Sequence, residues 1–131
     1  MALSGTYQQE VAPGFQGYVT ATYNHVGSRY TQLADQEAGV GTLNLLSFGA
    51  STIGGPLTQS TFTFDPLMPA YDLLNLRLGL RRGYWDVALY VNNLTDESAY
   101  LALDRERGLR ARVAFLTNQP RTFGISSRFD F

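Results

Sequence analysis

"LLNLRLGLRRGYWDVALYVN", Leu73 to Asn92, contains two alternating runs joined by a turn. In the first run Leu74, Leu76, Leu78 and Leu80 take one face, while Asn75, Arg77, Gly79 and Arg81 take the other, with Leu73 the exception. In the second, Trp85, Val87, Leu89 and Val91 stand opposite Asp86, Ala88, Tyr90 and Asn92. A period of two is the mark of a β-strand with unlike faces. Only "RRGY" separates the runs, and Gly83 within it suits the tight turn of a hairpin.

Working outward, the same period recurs. In "FQGYVTATYN", Phe15, Gly17, Val19, Ala21 and Tyr23 alternate with Gln16, Tyr18, Thr20, Thr22 and Asn24. At the end of the chain Phe123, Ile125, Ser127, Phe129 and Phe131 alternate with Thr122, Gly124, Ser126, Arg128 and Asp130. A weaker strand, "LSGTYQQE", precedes the short "VAPGF" turn at Pro13 and Gly14. The connections near 10–14 and 82–84 are short. Those near 33–68 and 101–119 are long, rich in Gly, Ser and Thr, and of a length that is usually functional or mobile. Antiparallel neighbours put all the short turns at one end and both long loops at the other.

Composition narrows the function classes. The chain has 131 residues and a formal net charge of -1, so nothing in it draws nucleic acid. There is no cysteine, which removes disulfides, thiol catalysis and Cys-based metal sites. His25 is the single histidine, too little for a zinc site or a His-dependent catalytic site, and it reads as a surface or lumen residue. No nucleophile–base constellation stands out. Asp96 and Glu97 are adjacent, so on a strand they point to opposite faces and form no dyad. No catalytic, cofactor or metal residues are therefore assigned, and an enzyme is not expected. No run of about eighteen apolar residues occurs to make a transmembrane helix, and "MALSGTYQQE" has neither the basic nor the apolar region of a signal peptide. Eight Tyr, eight Phe and thirteen Gly suit an all-β chain.

Two solvents fit the apolar face. In a soluble sandwich it packs on another sheet. In an outer-membrane barrel it meets lipid, with aromatics near the strand ends and a polar lumen behind. Arg77, Arg81, Asp86, Asn75, Asn92 and Arg128 on the other face suit a lumen, and both readings satisfy the alternation.

A second pattern bears on the choice. "YDLLNLRLGLRRGYWDVALYVNNLTDESAY", followed after a loop by "NQPRTFGISSRFDF", resembles the C-terminal end of TonB-dependent outer-membrane receptors. The elements that match are Asn92, Asn93, Leu94, Asp96 and Tyr100, then Pro120 and Arg121, then the terminal Phe131. Thr95 departs from the Phe often found there. The resemblance extends back through "GYVTATYNHVGSRYTQ" to nearly the whole of 1–131.

The resemblance implies a partial transmembrane β-barrel of about five antiparallel up-and-down strands, not closed on its own, in the bacterial outer membrane. It implies uptake of a nutrient such as a ferric siderophore, with no cofactor. The expected partners are the lipid bilayer, the remainder of the barrel and its plug, and the barrel-assembly machinery, with TonB engaged only through N-terminal parts this chain lacks. Phe123, Ile125, Phe129 and Phe131 would form the assembly signal, and they are also lipid-facing residues. The last strand is an unpaired edge until closure, so it is open to β-augmentation. The 101–119 and 33–68 segments would be extracellular, and "RRGY" and "VAPGF" periplasmic.

Within "DRERGLRAR", Arg105, Arg107, Arg110 and Arg112 are candidates to contact an anionic ligand, against the plainer reading of internal pairing with Asp104 and Glu106. Phe48, Phe62 and Phe64 would contact an apolar ligand or pack their loop down. "NNLTDE" reads as a bulge or kink, because consecutive Asn residues interrupt the alternation. A soluble all-β ligand-binding or structural module is the alternative, and membrane partition discriminates the two.

Overall fold

The computed structural model describes residues 1–44, 60–106 and 112–130, with backbone alone for Arg105, Glu106 and Arg112. Among the described residues the protein is all-β and antiparallel, without a closed barrel. It divides into two compact units: Met1–Val26, Tyr71–Ser98 and Gln119–Phe131 form the first, and Gly27–Ala70 with Ala99–Asn118 form the second.

The first unit is a five-stranded meander. Its strands are β1 (Ala2–Ala12), β2 (Phe15–Val26), β5 (Tyr71–Arg82), β6 (Trp85–Asn92) and β9 (Thr122–Phe129), hydrogen-bonded in that order. Each pair is antiparallel, with Leu78 opposite Val19 on one side and Leu89 on the other. The short turns close β1 to β2 and β5 to β6. In the first, Gly14 has φ +75 after Pro13, and the register shifts between Glu10 and Ala12. In the second, Gly83 has φ +52 at the first central position, the place a II′ hairpin turn reserves for glycine. Both turns lie at one end of the sheet, and both long connections leave from the other.

Those connections are not structureless loops. In the second unit β3 (Thr42–Asn44) pairs with β4 (Thr61–Thr63), and β7 (Tyr100–Glu106) pairs with β8 (Arg112–Thr117). A 3-10 turn at Leu33–Gln36 buries Asp35, whose carboxylate accepts the Gln32 N–H at 3.1 Å. Met68 bridges to Arg29 and is fully buried, and Leu103 donates its N–H to the Thr31 hydroxyl at 2.8 Å. The polar, Gly-rich composition of these stretches hid strands too short to show a period.

β2 runs two residues beyond the alternation read to Asn24, ending at Val26, and β6 ends at Asn92, where its alternation ends. The chain breaks at Asn93, whose φ of +54 takes the backbone out of the extended region, and again at Asp96, with φ +57. The interruption expected at "NNLTDE" is therefore present, and it ends the strand.

Candidate functional site

The five-stranded sheet sorts its side chains into two faces of opposite character. On one, the register lines up Tyr7, Val19, Leu78, Leu89 and Ile125 as a rung crossing all five strands. Leu76, Val91 and Phe123 form part of the next rung, and Trp85 and Phe129 pair at the short-turn end. Leu3, Val11 and these neighbours leave the face broadly open: Leu78 is 53% exposed and Ile125 72% exposed. The face has polar limits. At the short-turn end Phe15 meets Trp85 edge-on at 6.1 Å, and the Arg82 guanidinium lies 4.4 Å from the Phe15 ring. At the opposite end Asp72 Oδ1 accepts from Tyr23 Oη at 2.6 Å and lies 2.7 Å from His25 Nδ1.

The polar face is the better packed of the two. Ala88 is 1% exposed, Gly79 is buried, and Tyr18 is 9% exposed. Tyr18 pairs directly with Gly79 and lays its ring over it; Tyr90 does the same to Gly124. Glycine leaves the room that the ring fills, an arrangement that also covers the glycine backbone. Tyr18 Oη donates to Asp86 Oδ1 at 2.7 Å and accepts from Arg77 Nε at 3.2 Å, and Arg81 pairs with Asp86 at 3.1 Å. Arg128 pairs with Asp130 at 2.9 Å. Alternation showed which residues share this face. The Tyr–Gly pairs depend on cross-strand register, which alternation does not supply.

This burial runs opposite to that of a soluble sheet. Ten large apolar side chains of the other face, Leu3, Tyr7, Val11, Val19, Leu76, Leu78, Leu89, Phe123, Ile125 and Phe129, are exposed among the described residues. At about 1.5–3 kcal/mol for fully burying one such side chain, and with roughly half of each already covered, on the order of 10 kcal/mol of burial is unrealised. That is comparable to the whole stability of an ordinary domain.

The residues singled out in the sequence separate into groups. Asn93, Leu94, Asp96 and Arg121 converge on one knot. Asn93 is 5% exposed; its N–H donates to Asn75 Oδ1 at 2.9 Å, and its Nδ2 donates to the carbonyls of Glu97 at 2.9 Å and Gln119 at 3.1 Å. Its Oδ1 accepts the Glu97 N–H at 2.9 Å. Leu94 N–H reaches the Leu74 carbonyl at 2.7 Å, and Asp96 Oδ1 accepts the Arg121 N–H at 2.9 Å. The knot ties the end of β6 to the start of β9. Asn92 lies just before it on the polar face and Pro120 just before β9. Tyr100 does not join it; it begins β7 in the second unit, where its ring stacks against Phe115 at 4.7 Å.

Phe123, Ile125 and Phe129 occupy the open apolar face of edge strand β9, and Phe131 lies outside the described residues. Of the arginine cluster, Arg105 pairs with Val113 and Arg112 with Glu106 in the β7–β8 backbone ladder, while Arg107 and Arg110 lie outside the described residues. Phe62 and Phe64 stack on each other at 6.2 Å, and Phe48 lies outside the described residues. Among the described residues no group of three His, Cys, Asp or Glu side chains is placed to hold a metal. Among the described residues no helix is long and apolar enough to cross a membrane, which says nothing about crossing with strands.

No family model, curated protein or solved structure matches the chain.

Proposed function

We propose that the five-stranded sheet is a section of the wall of an outer-membrane β-barrel, of the kind found in TonB-dependent receptors, which take up scarce nutrients such as ferric siderophores. The observation that carries this is the inverted burial: an apolar face left open across five strands, behind which a polar face is packed. In a sandwich the apolar face would be the covered one. In a barrel wall it is covered by lipid, and the polar face lines the lumen.

The dimensions agree with that reading. From Asp72 to Arg82, β5 rises about 34 Å at roughly 3.4 Å per residue. A tilt of about 40° makes this about 26 Å across the membrane, close to the roughly 25 Å apolar band of such barrels. Phe15, Trp85 and Arg82 at one limit and Tyr23, His25 and Asp72 at the other suit the two interfaces, where amphipathic rings and long cations settle. The short turns then lie on the periplasmic side, and the long connections leave the sheet on the outer side.

The sheet keeps two open edges, β1 and β9, and because five strands alternate, these edges run in the same direction. A bacterial barrel with an even, antiparallel set of strands must therefore be completed by an odd number, about 17 if the total is about 22. The resemblance at Asn92, Asn93, Leu94, Asp96, Pro120 and Arg121 narrows the barrel to the receptor class, with barrel-assembly machinery, plug and TonB as the partners that follow.

The test is flotation with lipid vesicles, followed by protease digestion from outside. The expected result is co-flotation, with strand-rich infrared absorption and cleavage confined to the segments beyond the sheet. A chain that stays monomeric and soluble without lipid or detergent would sink the proposal in favour of a soluble module. A blot of outer-membrane fractions of the source cell, using antibody to the 33–68 segment, then separates a long receptor from a 14.5 kDa product.

A further inference from the structure

On the polar face, between the Tyr18–Gly79 pair and the Asn93 knot, lies a groove of about 340 Å³ lined by Thr20, Thr22, Asn75, Arg77, Tyr90 and Asn92. From this groove we infer that the sheet binds a carboxylate, with Arg77 and Asn75 as its principal donors. The inference stands on the sheet's geometry and not on the membrane assignment.

Charge is the first reason. The polar face carries three arginines. Arg81 meets Asp86 at 3.1 Å and Arg128 meets Asp130 at 2.9 Å. Arg77 forms no direct ion pair among the described residues; its Nε donates to the Tyr18 hydroxyl at 3.2 Å, which in turn donates to Asp86, so Asp86 feels the Arg77 charge only from a distance and is itself paired with Arg81. Tying Nε in this way fixes the plane of the guanidinium and leaves the two terminal amino groups for a planar acceptor. No acidic residue lines the groove. A half-buried cation whose nearest carboxylate, Asp86, is already in direct contact with another arginine is a site that a further anion stabilises.

The second reason is the orientation of Asn75. Its Oδ1 is committed to the Asn93 N–H at 2.9 Å, a donor that only an oxygen satisfies. The amide therefore presents Nδ2, a donor, to the remaining space. Thr20 and Thr22 have cross-strand partners in the Thr6 and Ser4 hydroxyls, at 2.9 and 3.4 Å. The Tyr90 hydroxyl and the Asn92 amide have no partner among the described residues and complete the lining. Donors thus dominate, and an acceptor-only group matches them. The acceptor has two sources: a small free carboxylate, or an acidic side chain of a polypeptide lying on this face.

The experiment labels the arginine and asparagine side chains with nitrogen-15 in the full chain, folded in micelles. The Arg77 Nε–H and Asn75 Nδ2–H signals are followed while succinate, a short oligoglutamate peptide or neutral succinamide is added at constant ionic strength. Saturable shifts of both signals with the carboxylates but not with succinamide are expected. Arg77→Gln abolishes them, and Arg77→Lys weakens binding about tenfold, since it keeps the charge and loses the fork. Asn92→Asp, which places a carboxylate in the groove, competes and also removes binding, so the idea remains testable if Arg77→Gln fails to fold. Tighter binding of the peptide identifies a polypeptide source, and tighter binding of succinate a small ligand. Absence of saturation with either, or equal binding by Arg77→Gln, overturns the inference. Because vesicle flotation is read separately, a chain that floats but binds no carboxylate loses only this inference.

Discussion

Replacing Gly79 by Ala tests the packing of the polar face more directly than any other single change. The backbone at Gly79 lies outside the left-handed region, so alanine is conformationally acceptable there. Taken alone, Gly→Ala in a strand stabilises by about 0.5–1 kcal/mol through lost chain entropy. Here the added Cβ would overlap Cζ, Cε1 and Oη of Tyr18. The ring must move, which breaks its 2.7 Å bond to Asp86 and its 3.2 Å bond from Arg77. Overpacking costs about 1–3 kcal/mol, and a hydrogen bond to a charged partner contributes about 1.5–3 kcal/mol. The clash and the two lost bonds exceed the entropy gain; because both bonds are only part-buried and are partly replaced by water, the net destabilisation lies at the low end of their sum, about 3 kcal/mol. Trp85, the only tryptophan, reports unfolding of the sheet in urea from micelles. With a slope of about 2 kcal/mol/M, the midpoint falls by about 1.5 M. In a Tyr18→Ala background the obstacle is gone, and the same Gly79→Ala change should raise the midpoint slightly. That reversal of sign is the decisive readout. Equal cost in both backgrounds, or a cost below about 0.5 kcal/mol with Tyr18 present, would refute the reasoning.

Other expectations follow from the same sheet. Leu78→Arg puts a charge in the middle of the apolar face and should lower vesicle-bound stability by about 2–4 kcal/mol; Gln8→Arg, at an exposed position of the polar face, should change flotation and unfolding little. Asn93→Ala removes the three side-chain bonds of the knot and an αL-tolerant residue, for about 3 kcal/mol in urea unfolding. Asn93→Gly, which keeps the backbone conformation, should cost less than Asn93→Ala. Arg121→Ala should cost under about 1 kcal/mol, because its ion pair with Asp96 spans 3.8 Å and both partners are half exposed, while the Arg121 N–H that Asp96 accepts is retained.

The knot shows how motif and role divide. Asn92, Asn93, Leu94, Asp96 and Arg121 are recognisable in the sequence as a pattern, and the break in alternation at Asn93 is recognisable as a kink. What they do was not readable, because the carbonyls of Glu97 and Gln119 and the amide of Asn75 come to Asn93 only once β5, β6 and β9 are side by side. Tyr100 is the counterexample: it fits the same pattern and belongs to a different unit. The arginines near 105–112 form the densest charge run in the sequence, yet the groove that gathers donors is built around Arg77, which in the sequence is one polar residue among alternating leucines.

By itself the sequence determined the five strands of the main sheet, their two faces and the alternation of short turns with long connections. These follow from the two-residue period of an extended chain and from the backbone freedom of Gly14 and Gly83, both local properties. Tertiary structure alone decided the register, and with it every feature of the polar face: Tyr18 over Gly79, Tyr90 over Gly124, and Arg77 between Thr20 and Tyr90. It also decided that the long connections fold as hairpins and that the apolar face remains open. Register is set by the sum of many cross-strand contacts between residues far apart in the chain, so no local pattern encodes it.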